Sequence, residues 1–131
     1  MAKAVNDQEF AAVCALPGPQ RYAHFISQVA DWQEVWSLRG RDGWILVADD
    51  DDTPLMPVWP HARYAEACAT AAWTETTPEA IPLDRWLSAW LPGLSRDGRR
   101  VAVFPVPAGV GVTVDAERLA DDLSEECEQY E

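Results

Sequence analysis

The chain has few of the residues on which small proteins usually build chemistry: three cysteines and two histidines in 131 residues. Cys14, Cys68 and Cys127 are widely spaced and form no CxxC pair, so neither a zinc ribbon nor a disulfide framework is expected. His24 and His61 alone cannot supply a histidine-rich metal site. No apolar run approaches the roughly 18–20 residues of a membrane helix. The segment Met1 to Phe10 carries polar and charged residues where a secretory signal would have its apolar stretch. The expectation is a reduced, cytoplasmic protein with no membrane association.

The motifs of common catalytic machinery are also missing. There is no GxSxG elbow, GxxxxGK[ST] phosphate loop, GxGxxG or HExxH. The aspartate run Asp49, Asp50, Asp51 and Asp52 resembles the start of a calcium loop. Counting from Asp49, however, the required glycine and glutamate positions fall on Pro54 and Pro60. No metal or cofactor is therefore expected, and no carboxylate pair stands out for acid–base work. Cys68 lies among alanines, as a small packing residue would.

What is abundant is acid and tryptophan. Twenty-two acids face ten bases, and the imbalance is local. Residues 1–48 hold five acids and four bases, residues 53–114 five of each, and residues 115–131 eight acids with only Arg118. The excess thus lies in Asp49–Asp52 and in the C-terminal segment. Such a field repels nucleic acid and anionic lipid and attracts basic partners. Seven tryptophans, each able to bury about 150–250 Å², must either fill a core or mark a binding surface.

The pattern along the chain predicts one domain over residues 1–131. Asn6 and Glu9 form a capping box for a short first helix. Tyr22, Phe25, Ile26, Val29 and Ala30 give the second helix, about Pro19 to Asp31, its apolar face. Two β-rich runs, Glu34–Leu38 and Trp44–Ala48, flank an Asp42-Gly43 turn, and the second is apolar enough for a central strand. A short strand around Met56–Trp59 leads through Pro60 and His61 into a third helix ending near Ala72. A threonine-rich loop, Thr74 to Thr77, follows.

Leu83, Trp86, Leu87, Trp90, Leu91 and Leu94 keep helical spacing, with Asp84 as expected N-cap and Pro92-Gly93 as expected stop. Val101–Phe104 and the alternating Val110, Val112 and Val114 predict the last strands. Asp115 is the expected cap of a closing helix with an apolar stripe of Leu119, Leu123 and Cys127, its acids opposite. Together these elements predict an α+β fold: a mainly antiparallel sheet of about five strands with four to five helices.

Trp36, Trp44 and Trp59 come from neighbouring strands. With His61 at a helix start and Asp49–Asp52 nearby in sequence, they form the candidate binding surface: aromatic and acidic, suited to a basic partner.

Several segments resemble the DUF2750 family. They are Tyr22-Ala23-His24-Phe25-Ile26, Asp31 through Leu38, Asp42-Gly43-Trp44, Pro57-Val58-Trp59-Pro60-His61, Trp86 through Leu94 and Val101 through Pro105. The resemblance implies a small bacterial cytoplasmic protein of unassigned function, with no catalytic residues to transfer. Two functions remain in view. One is a noncatalytic acidic module that binds a basic protein, of the inhibitor or immunity type. The other is a small-molecule-binding protein or enzyme with a pocket near His61 and the strand tryptophans.

Overall fold

A computed structural model describes residues 6–41, 43–48, 53–69, 75–106 and 111–128. Helix α1 (Asp7–Cys14) opens as predicted, with Asn6 Oδ1 accepting the Glu9 N–H at 2.8 Å. Helix α2 (Gly18–Trp32) buries Phe25, Ile26, Val29 and Ala30, the face its spacing predicts, together with Arg21. It ends at Gln33, whose left-handed backbone (φ 61°) lets its N–H return to the Val29 carbonyl.

The strands are β1 (Glu34–Gly40), β2 (Gly43–Trp44), β3 (Val47–Ala48), β4 (Pro54–Val58), β5 (Thr77–Pro82), β6 (Arg100–Val103) and β7 (Val112–Asp115). They form a three-stranded antiparallel sheet, β2-β1-β5, and a four-stranded mixed sheet, β3-β4-β6-β7. An isolated bridge joins them: Trp36 and Trp59 exchange two N–H···O bonds of 2.8 Å.

The α+β class stands, but the single mainly antiparallel sheet of about five strands does not. Among the described residues there are seven strands, and β4 pairs in parallel with β6. Parallel neighbours need a long crossover, and here it carries helix α3 (Ala62–Cys68), strand β5 and a further helix. The predicted central strand Trp44–Ala48 divides. Its start pairs with β1 and its end with β4, so the run passes from one sheet to the other.

No element is predicted over residues 78–82, and the predicted threonine-rich loop ends at Thr77, where strand β5 begins. Its Pro78 and Pro82 cannot donate to a ladder, but the strand lies at the sheet edge, where only one side must pair.

The further helix runs through α4 (Leu83–Arg85), a π turn (Trp86–Trp90) and α5 (Leu91–Arg96). Two expectations fail here. Pro82 stands at the N-cap position, while Asp84 Oδ1 accepts only from its neighbour Arg85. Pro92 does not stop the helix, because it sits in the first turn after the wider π turn, where Leu91 N–H reaches back to the Trp86 carbonyl. The stop is Gly98 (φ 71°). Its N–H bonds Ser95 O and the Arg99 N–H bonds Leu94 O, the paired pattern of a Schellman ending.

Helix α6 (Ala116–Glu128) packs Leu119 and Leu123 fully into the core. The Asp115 carboxylate, expected as its cap, is engaged by Arg100 Nε at 2.7 Å. The core gathers Trp59, Trp86, Tyr64, Phe25 and Phe104 with the aliphatic faces of α2, α6, β1, β4 and β6. No helix among the described residues is long and apolar enough to cross a membrane.

Candidate interaction site

The structure separates the tryptophans. Trp59 is wholly buried and its indole N–H donates to Pro105 O at 2.7 Å, so its side chain belongs to the core. Trp36 is half-buried and lies with Trp32 around His61, at ring-centroid distances of 6.4 and 5.6 Å from the imidazole. Trp44 faces elsewhere. Its ring meets Trp90 edge-on at 5.1 Å, under the Arg39 guanidinium, and Trp90 stacks on buried Trp86.

His61 caps α3: its Nδ1 accepts the Arg63 N–H at 3.1 Å. That bond answers one of the unpaired donors at a helix start and accounts for a histidine at the strand-to-helix junction. Cys68 is buried with its Sγ 3.4 Å from Pro105 O, and burial pushes its thiol up to about 11, the reverse of an activated nucleophile. No cluster of three or more metal-ligating side chains occurs among the described residues.

Asp49–Asp52 lie outside the described residues. Their described flanks do not. Leu55 is registered with Arg100, and Arg100 with Asp115. Pro54 therefore stands at the sheet end where β6 begins and β7 runs into α6, two strands from β7 and about 10 Å away at ordinary strand spacing.

At that end the structure reveals a feature that sequence reasoning missed. A groove of about 400 Å³ runs between α5 and α6, its floor and walls formed largely by Leu87, Leu91, Pro92, Ala116 and Ala120. Ser95, Arg96 and Glu117 form the polar rim. Ala116 and Ala120 present one face of α6. Glu117, Asp121, Glu125 and Glu128 follow at helical spacing on the face beside it, and all four are exposed. This ridge covers about 16 Å of helix at 1.5 Å per residue.

The lone basic residue of α6, Arg118, turns toward Asp122 (3.8 Å), on the side where Tyr22 OH donates to the same carboxylate. Burial, and then the bond to Asp122, raise the Tyr22 phenol well above its ordinary range, so it keeps its proton at any physiological pH. The ridge thus sets four exposed carboxylates beside an apolar trough, with Glu117 accepting from Ser95 Oγ at 3.3 Å and sharing the rim with Arg96. The acids opposite the core were legible in α6; the trough was not, because it needs α5 and α6 side by side.

A family model described as "Protein of unknown function (DUF2750)" matches residues 22–123, and the chain belongs to that family. The match spans α2 to the Leu123 turn of α6 and leaves α1 outside. No curated protein matches the chain.

Proposed function

We propose that this DUF2750 chain is a noncatalytic interaction domain that holds a basic, amphipathic helix of a partner protein in the α5–α6 groove. The observation that carries this is the adjacency of the trough to the ridge of Glu117, Asp121, Glu125 and Glu128. Leucine-type side chains of an incoming helix would bury in the trough, as in other helix-in-groove recognition. Lysines or arginines on its flank would meet the ridge, which sets orientation and speeds encounter more than it adds affinity. Ala48 and Pro54, which flank Asp49–Asp52 in sequence, pair with each other at the same sheet end.

The test is titration of the ¹⁵N-labelled protein with a synthetic helix bearing leucines at i, i+3, i+4 and i+7 and lysines between them. Amide shifts centred on Leu87–Arg96 and Ala116–Asp121 are expected. Ala120→Trp, which fills the trough, should abolish them while leaving the rest of the spectrum native. Shifts scattered over the surface, or binding indifferent to Ala120→Trp, would refute the proposal.

A further inference from the structure

The two walls of the α5–α6 groove carry opposite charge. On the α6 side Glu117, Asp121, Glu125 and Glu128 are exposed, and Arg118 turns to Asp122. On the other side, residues 85–96 contain no acid, and their two charged groups, Arg85 and Arg96, are exposed cations. Arg96, unlike Arg85, lines the groove itself.

If Arg96 paired with Glu117 across the rim, the difference between the walls would cancel there. Among the described residues no such ion pair forms. Glu117 accepts from Ser95 Oγ at 3.3 Å, while Arg96 Nε lies 4.0 Å from Asp97 Oδ1, beyond hydrogen-bond length. The Arg96 side chain is 81% exposed, so its guanidinium is open to an incoming group.

A helix laid in the trough presents one flank to each wall, and turning it end for end exchanges the flanks. Charges bordering an apolar seam select partner and direction in this way in coiled coils, where the wrong flank sets like charges against each other. We propose that the partner helix is charge-split. Its apolar stripe is bordered by lysine or arginine on the flank facing α6, and by at least one aspartate or glutamate on the flank facing Arg96. This rests on the helix-in-groove function proposed above and narrows it, from any basic amphipathic helix to one with unlike flanks and a single direction of binding. The reversed direction would set the partner's acids against the four carboxylates of α6.

Two dye-labelled synthetic helices with the same leucine stripe test the charge split by fluorescence anisotropy at low salt. One carries lysine on both flanks; the other carries lysine on one flank and an equal number of glutamates on the other, and so has no net charge. Arg96→Glu should weaken the split helix at least about threefold and tighten the all-lysine helix. Arg85→Glu makes the same change of charge outside the groove and should leave the split helix within about 1.5-fold of its original affinity. A nitroxide on the N-terminus of the split helix should broaden amides at one end of α6 only. Arg96→Glu and Arg85→Glu acting alike on the split helix, or broadening at both ends of α6, would overturn the charge split while leaving the groove as the binding site. Failure of both helices to shift amides of the groove would overturn the proposed function, and the charge split with it.

Discussion

Replacing Arg21 by methionine probes the joint that positions the end of β6. Arg21 is only 7% exposed; its Nε donates to Phe104 O at 3.1 Å and its Nη1 to Leu16 O at 2.7 Å. Phe104 has a left-handed backbone (φ 59°), which a bulky residue adopts only when its surroundings impose it. On its other side, Phe104 N–H donates to Val58 O at 2.8 Å. Methionine keeps the apolar stem and removes both charged donors. Hydrogen bonds to a charged group contribute about 1.5–3 kcal/mol each, so the gross loss is about 3–6 kcal/mol. Removing a guanidinium that had to be desolvated returns part of this, leaving a net cost of about 2–4 kcal/mol. With a urea m-value of about 1.5 kcal/mol/M, the midpoint of tryptophan-detected unfolding should fall by roughly 1.3–2.7 M. A midpoint that moves by less than about 0.3 M at unchanged m would show that the Phe104 geometry stands without the guanidinium.

Other consequences are as direct. A Cβ on Gly111 would lie 2.5 Å from Val103 O and 2.9 Å from Pro105 N, both backbone atoms, so Gly111→Ala should cost about 1–3 kcal/mol or more, seen as a lower melting temperature. Burial lowers the pKa of His24 from 6.5, so the unfolded chain takes up this proton first as pH falls. The His24 contribution is complete above about pH 6.5 and is lost as pH drops below it; His24→Gln should flatten the decline in melting temperature between pH 7 and pH 5.5. Ser37→Ala leaves Pro57 O without the 2.6 Å bond from Ser37 Oγ in a fully buried position, and should cost about 1–2 kcal/mol in urea unfolding.

The helices were legible because their apolar spacing matches the buried faces: Phe25, Ile26, Val29 and Ala30 in α2, Leu119 and Leu123 in α6. The hairpin was legible at Gly43, whose φ of 117° few side chains tolerate. Strand β5 was hidden by Pro78 and Pro82, since proline argues against a strand unless its edge position is known. Pro92 misled in the opposite direction, because only tertiary structure reveals the π turn before it. At the candidate site, sequence could place Trp36, Trp44 and Trp59 on neighbouring strands but could not say which ways they face. The structure buries Trp59 and sends Trp36 and Trp44 to different clusters. The acidic face of α6 was readable by counting in fours. The groove beside it depends on Ala116 and Ala120 lining the same trough as Leu87 and Leu91, a juxtaposition that no local pattern encodes.

In the proposed function the trough and the acidic ridge act together on one basic helix. The most direct test is the affinity of the leucine–lysine helix for the unmodified chain and for the Glu117→Gln, Asp121→Asn, Glu125→Gln, Glu128→Gln variant, at low and high salt. Binding to the unmodified chain should weaken with salt, and the variant should bind about tenfold more weakly at low salt with little salt dependence left. Equal affinity and equal salt dependence in the two proteins would contradict the claim.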